Sequence, residues 1–115
     1  MTVTIYHNPK CGTSRTTLAL LEDAGLNPTI IEYLKSPLSR KELEMLVKKM
    51  PTTVRELVRT SGDIYKELGL SDESLTDEQL IDAMIAHPIL MQRPVVETSK
   101  GVRMCRPSTT VNEIL

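Results

Sequence analysis

The sequence predicts an α/β fold: a small mixed β-sheet flanked by helices, with a helical insertion between the second and third strands. Three observations predict it. The N-terminal segment alternates apolar and polar residues, passes through a helical period, and returns to a strand-like run, which makes a β-α-β unit. The stretch from about 39 to 87 carries helical periodicity and helix-start signals without a strand pattern. The last third returns to strand-like alternation around a glycine turn.

Each element has its own signal. "VTIYH" alternates Val3 and Ile5 with Thr4 and Tyr6 and reads as the first strand. "NPKCG" is a loop, because Pro9 fixes its own φ and disfavours helix at Asn8. A helix follows from about Thr13 to Ala24, with Leu18, Leu21 and Ala24 inward and Gly25 as its stop. "TIIEYL" (29–34) is the second strand. Ser39 and Glu42 form a capping-box pattern ahead of Leu43, Leu46, Val47 and Met50, spaced i, i+3, i+4, i+7. "TTVRELVRT" reads as a short helix beginning near Thr53, with Val54, Leu57 and Val58 inward. "GDIYKELGL" adds a turn or two before Gly69. Thr76 and Gln79 repeat the capping pattern before Leu80, Ile81, Met84 and Ile85, and this helix ends at His87-Pro88. "PVVETSKGVRMC" is a hairpin with Gly101 in its turn, and Pro107-Ser108 opens a final helix of barely two turns. No linker or low-complexity run divides residues 1–115, so they read as one domain.

Composition narrows the function. Hydrophobic residues make up 40 % and charged residues 25 %, ordinary for a packed domain. A net charge of −1 offers no broad basic field for nucleic acid or an anionic membrane, so any anion site must be built locally. No apolar run approaches the ~20 residues of a membrane span. The N-terminus lacks a signal-peptide pattern, which predicts a cytoplasmic protein. Two cysteines, Cys11 and Cys105, and two histidines match no zinc-site spacing and no disulfide framework, so neither a metal nor a tightly bound cofactor is expected.

The chemistry concentrates in "YHNPKCGTSR", residues 6–15. Cys11 sits where a strand hands over to a helix, and free N–H groups there favour a thiolate. Such settings lower a cysteine pKa from about 8.5 to roughly 3.5–7.5. A buried structural cysteine is the competing reading. The neighbours Lys10, Gly12, Thr13 and Ser14 form no apolar stripe and favour the nucleophile. His7 and Arg15, four residues to either side, are candidate sources of positive charge, although a strand-end histidine is as readily a plain core or solvated residue. Ser14 stands where a Cys-x-x-Cys motif would place its resolving thiol, and Arg15 is too close to Cys11 for a Cys-x5-Arg phosphate loop. What survives is a Cys-x-x-Ser thiol site that works with an external thiol.

Together, "YHNPKCGTSR", "HPILMQRPVV" and "RMCRPS" resemble the glutaredoxin-coupled arsenate reductase (ArsC) family, over essentially the whole chain and in order. The resemblance implies a thioredoxin-like fold with a helical insertion. It makes Cys11 the nucleophile that forms a covalent adduct with arsenate, and His7 the residue that tunes it. Glutathione then attacks as co-substrate, glutaredoxin resolves the mixed species, and arsenite leaves. Arg59, Arg93 and Arg106 match the oxyanion-holding arginines. Guanidinium groups suit that work, since they stay charged and present planar donors. Phosphate, nearly the same shape, is expected to compete. By the same resemblance, Pro94 is expected to follow a cis bond.

Supporting roles are expected around these residues. Asn8 shapes the loop. Ser14 either bonds the Cys11 sulfur or caps the helix, and Arg15 is a local neighbour rather than an anion ligand. Arg59 also fits a solvated cation at a helix end, Arg55 reads as surface, and Cys105 as structural. The chain stops at Leu115, before the point where better-known members end, which predicts a partly bare sheet face open to self-association or a partner. Two other readings stand beside the enzyme. One is a thiol-sensing regulator of the same fold that binds RNA polymerase, which Ser14 in place of a second cysteine disfavours. The other is a glutathione-dependent oxidoreductase with another substrate, which three arginines disfavour.

Overall fold

A computed structural model describes residues 1–115. Strands β1 (Thr4–His7), β2 (Thr29–Glu32), β3 (Val95–Thr98) and β4 (Gly101–Met104) form one sheet in the order β2-β1-β3-β4. β1 and β2 are parallel, joined by the crossover helix α1 (Gly12–Asp23). β3 runs antiparallel to both β1 and β4. Helices α2 (Arg40–Lys49), α3 (Val54–Leu57), α4 (Asp63–Glu67) and α5 (Asp77–Ala86) fill the connection between β2 and β3, and a 3-10 turn at Pro88–Leu90 closes it. The arrangement is thioredoxin-like. No helix is long and apolar enough to cross a membrane.

Local chemistry sets the boundaries. Ser39/Glu42, Thr53/Glu56 and Thr76/Gln79 each close a reciprocal capping box at the start of α2, α3 and α5. α1 ends in a Schellman pattern: Gly25, at φ 79°, donates to Glu22 O and Leu26 donates to Leu21 O. Gly101 takes φ 144° at the hairpin, and a Cβ there would meet the Arg103 guanidinium at 3.3 Å.

Several elements depart from expectation. β2 stops at Glu32 instead of reaching Leu34, because the Glu32 carbonyl accepts from Lys35 and Ser36 and curls Tyr33 into a turn. The inner face of α1 is Ser14, Thr17 and Leu21, with Leu18 half-buried, while Ala24 is its exposed C-cap. Ile85 is half-buried rather than core. The final helix, Ser108–Ile114, is 3-10, as suits a short run crowded by Thr109, Thr110 and Val111. Arg55 is no idle surface cation. It donates to the Leu70 and Asp72 carbonyls, each at 2.8 Å, and ties α3 to the loop after α4.

The pleat divides the core between two sheet faces. Tyr6, Val95 and Val102 face the helical insertion, packing with Leu43, Leu57 and Leu80. Ile5 and Val96 face the other way, against Leu21, Cys105, Val111 and Ile114. That second face is therefore covered, not bare: Val111 and Ile114 are fully buried.

Register then decides where the chemistry gathers. His7 pairs with Glu32, Tyr6 with Val95, and Val95 with Met104. The chain leaving β1, the chain leaving β2, the chain entering β3 and the chain leaving β4 all meet at one end of the sheet. Cys11, Tyr33, Arg93 and Arg106 lie on those four segments.

Candidate active site

Cys11 is the N-cap residue of α1 and is partly exposed. The loop that presents it is tightly wired. Asn8 Oδ1 accepts from the Lys10 N–H at 3.0 Å, and the Asn8 carbonyl accepts from the Cys11 N–H at 3.0 Å. Arg15 Nη1 donates to the Pro9 carbonyl at 2.9 Å and closes the loop from the helix side. Asn8 is buried, so these bonds hold the loop in one shape.

Ser14 does neither of the two things its position suggested. Its side chain caps nothing and does not bond the sulfur. Its hydroxyl accepts from the Asn8 N–H at 3.1 Å and lies 2.7 Å from His7 Nδ1. It is the Ser14 backbone N–H that faces the thiol. His7 is buried and its pKa is lowered, first by burial and then by Arg15, with Glu32 opposing. Burial thus works against a charge on the imidazole, which props the loop through its 2.7 Å contact with the Ser14 hydroxyl.

Positive charge reaches Cys11 from elsewhere. Partial burial pushes the thiol up, but the Ser14 N–H, the Arg93 and Arg106 guanidinium groups and the Thr13 N–H outweigh it, so its pKa falls below that of a free thiol. Arg106 Nη1 lies 3.6 Å from Cys11 Sγ and also donates to the Arg93 carbonyl at 3.0 Å. Arg93 is buried, and its Nε has no hydrogen-bond partner. The ion pairs of the chain use Lys35, Arg40, Lys49 and Arg103, and none engages Arg59, Arg93 or Arg106. A nucleophilic sulfur thus sits beside two guanidinium groups that no carboxylate neutralises. Such a site favours a small anion with several acceptor oxygens.

A model of the ArsC family matches residues 6–114. The chain belongs to the ArsC family. It is 56 % identical over 115 residues to an arsenate reductase of Rhizobium meliloti (strain 1021), covering all of this chain and 82 % of that protein. It is 52 % identical over 113 residues to an arsenate reductase of Escherichia coli (strain K12), covering 98 % of this chain and 80 % of that one. Among solved structures it is similar to the arsenate reductase from Vibrio cholerae, with TM-score 0.94 and 46 % identity, covering 100 % of this chain and 98 % of the other.

Within this ArsC-family chain, Arg59 joins the site only indirectly. Val58 and Met91 form an isolated antiparallel bridge, flanked by Arg59 N–H to Leu90 O at 2.6 Å and Gln92 N–H to Leu57 O at 2.8 Å. Its backbone is tied to the strap that carries Arg93. Its side chain turns to Ser61 Oγ, 2.9 Å from Nε, and lines a cavity of about 200 Å³ with Gly62 and Ile89. No hydrogen bond joins it to Cys11, so the structure gathers two of the three expected arginines at the sulfur. The Arg93–Pro94 bond is cis, as expected; Arg106–Pro107 is cis as well, which the sequence reading did not foresee. Cys105 is fully buried, with its pKa pushed up to about 12, first by burial and then by Glu113. Both cysteines are free thiols.

Sequence reasoning missed Tyr33. Its side chain is fully buried beneath the site, and its hydroxyl donates to the Met91 carbonyl at 3.3 Å. The available signal was its place one residue past β2, at the sheet end where the Cys11 loop begins.

Proposed function

We propose that this protein is an arsenate reductase that uses Cys11 as nucleophile with glutathione and glutaredoxin as reductants. One observation carries the reading: Cys11 Sγ lies beside the Arg93 and Arg106 guanidinium groups, which lack carboxylate partners. The names of the ArsC relatives support arsenate as the oxyanion.

The steps follow from that geometry. Arsenate enters with its oxygens on Arg93 and Arg106, which offset the repulsion between two anions. The thiolate attacks arsenic, a sulfur–arsenic bond forms, and one oxygen leaves as water after protonation. A glutathione thiol then attacks the adduct and displaces a second oxygen as water, and a glutaredoxin thiol attacks the glutathione sulfur, breaking its bond to arsenic. Arsenic gains two electrons in going from As(V) to As(III). Two thiols, one from glutathione and one from glutaredoxin, lose them as a disulfide. Water then displaces Cys11 from As(III), arsenite departs, and Cys11 returns as thiolate. Ser14 leaves the loop without a second cysteine, and Cys105 is a fully buried free thiol, which supports an external resolving thiol.

In this reading His7, Ser14, Asn8 and Arg15 hold the loop, and Pro94 shapes the approach of Arg93. Arg59 swings from Ser61 to the anion once it is bound. Glutathione is a co-substrate, and no resident cofactor or metal takes part. Phosphate competes for the same donors. The cytoplasm is the working compartment, because it keeps such thiols reduced. The test is arsenite formation with glutathione and glutaredoxin supplied together, then with each omitted. Turnover only in the complete mixture is expected. No turnover there, from folded protein, would overturn the reading.

A further inference from the structure

We propose that Tyr33 is a positioning residue: its buried hydroxyl anchors the Met91-to-Arg93 strap and so holds the Arg93 guanidinium against Cys11. The inference rests on the reading of Cys11, Arg93 and Arg106 as one anion site.

The need for such an anchor is visible at Arg93. A guanidinium is a permanent cation, and burying one demands compensation. Arg93 is buried, yet no carboxylate pairs with it. Its Nη1 reaches the Ile89 carbonyl only at 3.4 Å, and its Nε is unpartnered. The side chain therefore does not fix itself. Its backbone is held from the Met91 side by the bridge to Val58 and by the Tyr33 hydroxyl on the Met91 carbonyl at 3.3 Å.

A phenol oxygen donates one proton and still accepts. Its proton goes to Met91 O, and the Arg93 guanidinium lies near enough to act on the phenol electrostatically. One buried hydroxyl thus holds the strap by a carbonyl two residues before Arg93. Burial holds the phenol pKa up to about 12, so the hydroxyl keeps its proton through the physiological range. The effect extends further, because the Arg93 carbonyl accepts from Arg106 Nη1 at 3.0 Å. Displacing the strap displaces both cations that face the sulfur.

An ordinary core tyrosine would contribute to stability without acting on Cys11 through Arg93. The two roles separate in a double-mutant cycle read at the thiol. The pH midpoint for iodoacetamide alkylation of Cys11, located by mass spectrometry, is measured without arsenate. The proteins are the wild type, Tyr33→Phe, Arg93→Met and the double variant. Tyr33→Phe is expected to raise the midpoint by roughly 0.5–1 unit, as for a weakened charge-assisted hydrogen bond. In the Arg93→Met background the same change is expected to raise it by clearly less, leaving only the part that acts through Arg106 on the Arg93 carbonyl. An unmoved midpoint in folded Tyr33→Phe, or an equal shift in both backgrounds, would overturn the proposal. Should the phenylalanine variant not fold, 4-aminophenylalanine at position 33 keeps the shape and offers the Met91 carbonyl a weaker donor. It is expected to raise the midpoint by a smaller amount, and no shift would overturn the proposal. Because no step uses arsenate, a failure here is distinct from absent arsenite formation, which would count against the reductase reading.

Discussion

Arg106 Nη1 stands 3.6 Å from Cys11 Sγ, although 95 positions separate the two residues, and the same nitrogen donates to the Arg93 carbonyl at 3.0 Å. One donor group thus links the nucleophile to the strap that carries the second cation. Antiparallel pairing of β3 with both β1 and β4 puts the ends of β1 and β4 on the same side of the sheet and makes this meeting possible.

Removing that link should weaken both charge and position. Arg106→Ala is expected to lower kcat/KM for arsenate by roughly 100-fold, the scale of losing one electrostatic donor in a transition state. Arg106→Lys should recover only part of the loss, since an ammonium is a single point charge and cannot reproduce the guanidinium fork. Steady-state kinetics at fixed glutathione and glutaredoxin checks this.

His7 makes a pH prediction. Its folded pKa lies below its ordinary value, chiefly through burial. The unfolded chain therefore takes up the proton more readily than the native one. The stability linked to neutral His7 is fully present above about pH 6.5 and is lost as pH falls through the lower folded value. Urea midpoints measured from pH 8 to pH 5 should decline over that window. His7→Gln, which does not titrate, should flatten the decline.

The two cysteines should behave as opposites. Cys105→Ser is expected to leave arsenite formation within about two-fold of wild type and to cost about 1–2 kcal/mol, because it buries a hydroxyl among apolar neighbours. Cys11→Ser should abolish turnover and leave the urea midpoint nearly unchanged. Kinetics and urea denaturation on both variants distinguish the roles.

Arg55 tests the helical insertion. Arg55→Ala removes donors from the Leu70 and Asp72 carbonyls and should cost about 1–2 kcal/mol, as expected for partly solvated bonds from a charged donor. Alkylation of Cys11 should be unaffected, because the lost bonds lie in the insertion, away from the loop. Urea unfolding followed by circular dichroism measures the first effect, and mass spectrometry the second.

What could be read from the sequence was mostly local. The capping boxes at Ser39 and Thr76 lie within four residues, and the period-two alternation of "VTIYH" is a property of five. Such signals need no knowledge of the fold. Arg93 and Arg106 were legible through their motifs, beside prolines at strand ends. Tyr33, Ser14 and Arg55 were not, each for the same physical reason. Tyr33 matters because Met91, 58 positions on, offers a carbonyl. Ser14 was placed by its neighbour Cys11, yet its hydroxyl turns back to His7 and its backbone N–H meets the sulfur. Arg55 looked solvated because its acceptors, at 70 and 72, are carbonyls that carry no mark in the sequence. The burial that lowers the His7 pKa is a tertiary quantity and leaves no mark in the sequence.

In the proposed site Cys11 has a lowered thiol pKa, is held by Arg93 and Arg106, and faces an incoming oxyanion. The most direct measurement is the rate of Cys11 alkylation by iodoacetamide across pH 5 to 10, with and without arsenate. The rate is expected to reach its plateau by about pH 8, below the ordinary thiol range, and to fall when arsenate or phosphate is added. A rate that rises only above pH 8 and ignores both anions would contradict this reading.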